Sequence, residues 1–194
     1  ITIHSFIFGP FSENTFLLFD ETKECIIIDA GCYEPYEKKE LFDFVSREKL
    51  KPVRLLNTHC HIDHIFGNKF VSETFGLKAE AHKEELFNLK NSEEVSKMYG
   101  IGGFELSPIP TNFLDESYEI SFGSSRLEIL FVPGHSPGHL AFVNKEQKFV
   151  ICGDVLFYGS IGRTDFPGCS HETLIKSIKT KLFPLGDDFR VLSG

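Results

Sequence analysis

The stretch Asn57-Thr58-His59-Cys60-His61-Ile62-Asp63-His64 (NTHCHIDH) places three histidines and one aspartate within six positions. It follows the apolar run Val53 to Leu56 and precedes IFGNKFVSETFG, so a strand is expected to end here and a helix to start near Asp63. Strand ends are where α/β proteins gather ligand sites. In an extended segment the side chains at i and i+2 share a face, so His59 and His61 reach one metal ion together. Asp63 and His64, at the turn, are offered to a second ion about 3.5–4 Å from the first, the spacing usual in two-metal hydrolytic sites. A lone histidine would read as a cap on a solvated turn, but this set at this spacing reads as a metal centre. Cys60 lies on the opposite face of the extended segment and is expected to pack.

Two later strand ends supply matching residues. LEILFVPGHSPGH places His135 directly after Pro133-Gly134, as the next ligand. His139, at the start of the apolar LAFV, is expected to be carried away from the site into a supporting role. FVICGD ends in Gly153-Asp154, where a carboxylate, having two oxygens, can bridge two cations. Asp29 in IIIDAG also closes a strand, and it either orients a ligand histidine from behind or simply makes a turn.

Outward from these points the chain alternates in type. ITIHSFIF, NTFLLFD and ECIIIDAG open it as antiparallel strands, and YEPYEKKELFDFVSREKL follows as a helix, with Leu41, Phe42 and Val45 at helical spacing. After the histidine cluster come a helix closing at Gly76, a short strand LKAEAH, and a polar segment HKEELFNLKNSEEVSKMYGIGG able to cover a site. YEISFG, SRLEILFVPGH, HLAFVNKE and KFVICGDVLF then read as strands, HETLIKSIKTKLF as a helix and FRVLSG as a last strand. Two such halves predict an αββα sandwich, two sheets face to face with helices outside, filled mostly by the 21 Phe residues.

Length and composition narrow the function classes. The 194 residues suit one domain over 1–194, and 41% hydrophobic with 25% charged residues fits a folded globular chain. A net charge of -8 without a basic run argues against nucleic acid as a partner. No apolar stretch reaches membrane-spanning length and the start does not read as a signal peptide, so no membrane partner is expected. Five cysteines, an odd count without a CxxC, read as reduced thiols, and the expected location is the cytoplasm.

THCHIDH, the GH of PGHSPGH and the GD of CGDVLF, in this order, resemble the metallo-β-lactamase superfamily, and the likeness spans nearly the whole chain. Within it, GDVLFYGSIGRTDFPG, residues 153–168, is similar to the short bacterial glyoxalase II-like (hydroxyacylglutathione hydrolase-like) enzymes. The resemblance implies an αββα sandwich with His59, His61 and His135 on one ion, Asp63 and His64 on the other, and Asp154 bridging them. It also implies one more histidine, in a Gly-His-Gly after the last strand. The chain stops at Leu192-Ser193-Gly194, so it is read as truncated there.

The expected cofactors are two divalent ions, zinc in the first place, with iron or manganese as alternatives. Such ions lower the pKa of a bound water from about 15.7 to near 7, giving a hydroxide that attacks a thioester carbonyl, such as that of an S-(2-hydroxyacyl)glutathione. Asp63 is the expected catalytic residue, orienting that water or accepting its proton. Arg163 is a candidate for binding a substrate carboxylate, with an ion pair to Asp165 as the plainer alternative. Tyr158 and Ser160, in the same loop, are weaker candidates for substrate contact, a tyrosine in an apolar run being more often packing. Two other functions compete: a mononuclear Fe(II) persulfide dioxygenase using His59, His135 and Asp154, and a non-catalytic zinc-binding module.

Overall fold

The opening apolar runs form an antiparallel meander in the computed structural model, which describes residues 1–194: β1 (Thr2–Phe8), β2 (Glu13–Phe19) and β3 (Glu24–Ile28). Helix α1 (Pro35–Arg47) returns the chain to β4 (Lys51–Leu56), parallel to β3. Proline at the first position of α1 loses no helical hydrogen bond. Buried Glu37 turns back to accept from the N–H groups of Tyr33 (2.7 Å) and Glu34 (2.9 Å). Pro52, which has no N–H to give, is tolerated in β4 because the register against β3 shifts beside its partner Cys25.

Helix α2 (Asn68–Phe75) leads to β5 (Ala79–Ala81), and α3 (Leu86–Met98) to β6 (Asn112–Phe113), completing a sheet in the order β1-β2-β3-β4-β5-β6. The second sheet is the meander β7 (Glu119–Phe122), β8 (Ser125–Phe131), β9 (Leu140–Asn144) and β10 (Phe149–Gly153). A small hairpin, β11 (Leu156–Phe157) and β12 (Ser160–Ile161), follows. Then α4 (His171–Ser177) carries the chain to β13 (Arg190–Ser193), parallel to β10 at the sheet edge.

Strand alternation divides the core into layers. In β2, β3, β9 and β10, Phe16, Leu18, Ile26, Ile28, Leu140, Phe142, Phe149 and Ile151 point between the sheets and form one buried cluster. Their neighbours face outward: Leu17, Cys25 and Ile27 against Leu41, Phe44 and Val45 of α1, and Ala141, Val143 and Val150 against Leu174 and Ile178. Sheets covered on both faces read as nearly continuous apolar runs, which is how these strands look in sequence. The layering is the expected αββα sandwich.

One expectation is corrected. The helix after the histidine cluster does not begin near Asp63. Ile62–Ile65 make a single 3₁₀ turn and α2 begins at Asn68. The chain is pinned between them, because the Gly67 N–H donates to the Ala30 carbonyl (2.6 Å) and a Cβ on Gly67 would lie 2.3 Å from Cys32 Sγ. The phenylalanines do mostly fill the layers: twelve of the 21 belong to or pack against the core clusters, namely Phe6, Phe8, Phe16, Phe19, Phe44, Phe70, Phe75, Phe122, Phe131, Phe142, Phe149 and Phe189.

Candidate metal centre

The ends of β4, β8 and β10 meet at one edge of the sandwich and bring three chain segments together. His59 Nε2 lies 3.3 Å from His135 Nε2, and His61 Nδ1 lies 3.0 Å from that same nitrogen. Ligands about 2.0–2.1 Å from a tetrahedral ion stand about 3.3 Å apart, so the three nitrogens already have the separation of a shared coordination sphere.

Their hydrogen-bond partners fix which nitrogens carry protons. His135 Nδ1 donates to the main-chain carbonyl of Arg163 (2.8 Å), leaving Nε2 with its lone pair. The Thr58 hydroxyl donates to Asp29 Oδ2 (2.6 Å) and accepts from His59 Nδ1 (3.1 Å), so His59 Nε2 is also bare. Burial, reinforced by the neighbouring histidines, pushes the His61 ring down to about 3 and His59 well below its ordinary value, so both are neutral at pH 7. Two bare lone pairs 3.3 Å apart repel each other and are reconciled by a cation between them. The residues therefore fit a divalent ion.

A second group faces the first across Asp154. Its Oδ2 lies 3.6 Å from His135 Nε2 and its Oδ1 lies 3.4 Å from His64 Nε2. Asp63 Oδ2 is 3.8 Å from the same His64 nitrogen. The back of His64 is held by Asp29, whose Oδ2 accepts from Nδ1 (3.1 Å), so that Nε2 is the ring nitrogen facing the two aspartates. Burial works to lower His64, yet Asp63, Asp154 and Asp29 together raise it well above an ordinary histidine. For Asp154, burial works upward and His64 outweighs it, holding the carboxyl far below the usual range. A site with this charge balance attracts cations.

Asp29, His59 and His64 also lie close enough to hold an ion among themselves. Both Asp29 oxygens are already engaged. Oδ1 accepts from Thr58 N–H (2.7 Å), and Oδ2 accepts from both the Thr58 hydroxyl and His64. It is a hub behind two histidines, seated at φ +53° where aspartate is tolerated better than most residues.

His139 stands outside both groups. It stacks on His59 with centroids 4.5 Å apart, and its Nε2 donates to the Cys152 carbonyl (3.0 Å), steadying the strand end that presents Asp154. Gly153 makes that end possible, since its φ is +49° and a Cβ there would sit 2.4 Å from Thr58 Oγ1. Cys60 packs with Ile65, Ala81 and Leu89, away from the ligand nitrogens.

The residue that sequence reasoning missed is Glu85, fully buried just before α3. Its Oε2 accepts from the Cys60 N–H (2.7 Å), between His59 and His61, and from Asn88 (2.9 Å). Its Oε1 accepts from the Gly138 N–H (2.7 Å) and the Ser136 hydroxyl. One carboxylate thus ties the two histidine-bearing loops together. Buried Glu13 was missed as well; it stands 3.9 Å from His64 Nδ1 with Oε2 accepting from Thr15.

Arg163 lines the cleft over the centre, but its side chain is engaged. Nε and Nη2 each donate to Asp165 at 2.7 Å, and the guanidinium lies 4.1 Å from the Phe166 ring centre. The ion pair with Asp165 forms, and the Arg163 carbonyl accepts from His135 Nδ1. Tyr158 projects fully into solvent from the hairpin tip and, like Ser160, does not line the cleft.

An αββα sandwich whose edge gathers four histidines' worth of ring nitrogens and paired aspartates defines a class of metal-dependent hydrolases. The chain belongs to the metallo-beta-lactamase superfamily, whose family pattern it matches over residues 8–194. Members of that superfamily bind divalent metals, often two. The hydroxyacylglutathione hydrolase GloC of Haemophilus influenzae is 36% identical over 186 residues, covering 95% of this chain and 85% of that protein. The probable metallo-hydrolase YqgX of Bacillus subtilis is 37% identical over 190 residues, covering 96% and 86%. Among solved structures, TTHA1623 in a di-iron-bound form superposes with TM-score 0.87 at 32% identity, covering 98% of this chain and 91% of that one. ETHE1 from Myxococcus xanthus, at 21% identity and TM-score 0.77, covers 100% and 75% and shares the fold.

Proposed function

We propose that this protein is a metal-dependent thioester hydrolase acting on small molecules of the S-(2-hydroxyacyl)glutathione type. The observation that carries the reading is Asp154, whose two oxygens face two separate groups of ligand atoms. His59, His61 and His135 would hold one ion, Asp63 and His64 the other, with Asp154 between them. Likeness to a hydroxyacylglutathione hydrolase supports the thioester as the bond cleaved.

Divalent ions there supply Lewis acidity and make water ionisable at neutral pH, zinc being favoured by the imidazole-rich donor set and iron or manganese compatible with its carboxylates. The protein's own residues do the remaining work. Asp29 and the Arg163 carbonyl hold the Nδ1 protons of His64, of His59 through Thr58, and of His135, so that Nε2 of each is the nitrogen left to an ion. Asp63, only partly covered, is positioned to take the proton of the attacking water as its oxygen bonds to the thioester carbon. The C–S bond then breaks and sulfur departs as thiolate, which needs little help from a general acid.

The test is metal content of anaerobically purified protein alongside hydrolysis of S-D-lactoylglutathione and related thioesters under argon. About two ions per chain, with cleavage that is independent of oxygen, abolished by chelation and restored by metal, is the expected result. One iron per chain, no thioester cleavage, and oxygen uptake with glutathione persulfide would replace this reading with the dioxygenase.

A further inference from the structure

We infer that the cleft selects a bulky apolar acyl group and does not read the charges of the carrier thiol. This rests on the thioesterase reading and narrows its substrate. The cleft beside His61, Asp63, His135 and Asp154 has a volume of about 530 Å³. Its other wall is apolar and assembled from three segments: Phe11 after β1, Phe87, Val95, Met98 and Tyr99 on and just after α3, and Phe166. Met98 is 83% exposed, Phe87 48%, and Phe11 and Tyr99 44% each. Phe11 and Tyr99 meet edge to face at 5.4 Å, so the wall is continuous across two of its segments. Apolar side chains left open to water beside a polar centre mark a site for an apolar group.

The polar groups of the cleft point to the same conclusion. Arg163 is the one cation among the lining residues, and its fork is closed on Asp165 and stacked on Phe166. An exposed ion pair is weak by itself, but a substrate carboxylate must displace a partner two residues away in the same chain, which holds the advantage of effective concentration. The amide donors are mostly engaged. Asn88 Nδ2 donates to both Glu85 and Ser136, and Asn91 Nδ2 spends one of its two N–H groups on the Phe87 carbonyl. Glutathione carries two carboxylates, and this chain has a net charge of -8. No cation of the wall is left free to bind those carboxylates, whereas an aryl or branched alkyl acyl group would be seated against α3.

The test compares four thioesters on metal-saturated protein: D-lactoyl and 3-phenyllactoyl groups, each on glutathione and on uncharged N-acetylcysteamine. All four share the 2-hydroxyacyl function, so differences report recognition. The expected result is a kcat/KM about tenfold or more higher for phenyllactoyl than for lactoyl on either carrier, with the two carriers within about threefold of each other. Phe87→Ser is expected to lower kcat/KM for the phenyllactoyl esters by about fivefold and to weaken, by a similar factor, calorimetric binding of the uncleavable thioether S-benzyl-N-acetylcysteamine. Equal or better use of lactoyl overturns the acyl assignment. A glutathione preference above about threefold, lost in Arg163→Ala, overturns the carrier assignment. Failure to cleave any of the four overturns the thioesterase reading, and this inference with it.

Discussion

Asp29 acts on the centre without facing it. Its carboxylate sets the proton position on His64 directly and on His59 through Thr58. Asp29→Asn suits the same backbone, since asparagine also tolerates positive φ, but it puts an amide donor where Oδ2 accepts two hydrogen bonds. His64 then loses the acceptor that holds its Nδ1 proton and aims Nε2 at the centre. The expected outcome is a loss of about 10–100-fold in metal affinity, measured by chelator competition, with the melting temperature of the metal-free protein much less affected. Unchanged affinity would show that the tautomer is set elsewhere. At this scale the proposed ligands were the most legible part of the sequence, because His59, His61, Asp63 and His64 are adjacent and their spacing suits a metal ion. The dual possibility for Asp29 in IIIDAG had no such local resolution. What decides it is proximity to residues 29 and 35 positions later.

Among the elements, the turn into α3 shows how a short stretch can govern a distant one. Glu85 sits in HKEEL, a run of charges that reads as solvated, and nothing in its neighbourhood hints that it is fully buried against the 135–139 loop. Burial works to raise its carboxyl, against four donors that favour the ionised form. In Glu85→Gln one acceptor oxygen becomes an NH₂ group facing N–H and O–H donors. We expect a destabilisation of about 2–4 kcal/mol, read from urea midpoints, together with weaker metal binding as the two histidine loops separate. A variant of wild-type stability would remove Glu85 from this role. Element types otherwise followed from periodicity, whereas the break between the 62–65 turn and α2 did not, because it depends on the close passage of Gly67 over Ala30 and Cys32. The two-residue strands β6, β11 and β12 are too short to leave a pattern at all.

At the level of the whole molecule, the αββα order was legible because strands buried on both faces are almost uninterruptedly apolar. Which phenylalanines leave the layers to line the cleft, as Phe11, Phe87 and Phe166 do, was not, since periodicity cannot separate the two uses. The two sheets are also fastened at the end remote from the metal centre. Asp20, following β2, accepts from Thr22 in its own turn and from Ser124 N–H (2.7 Å) and Ser125 Oγ (2.8 Å) in the β7–β8 turn. Burial works to raise this carboxyl, but the hydrogen bonds hold it at about 2, against 3.8 ordinarily. Because the folded value is the lower one, the contribution is complete above about pH 4 and fades as pH falls toward 2. Asp20→Asn is expected to cost about 1 kcal/mol at pH 7 in denaturant titrations. That difference should shrink across the pH 4 to 2 window, and a pH-independent difference would mean that the charge is not involved.

The centre draws on Asp29 and residues 57–64 from one sheet and on His135 and Asp154 from the other, so it exists only once the two halves of the chain have docked. Contacts between residues so far apart in sequence form late and slowly. An ion seated there therefore acts on the clock of opening rather than of assembly: adding metal should lengthen the lifetime of the native state while leaving the refolding rate nearly as it was.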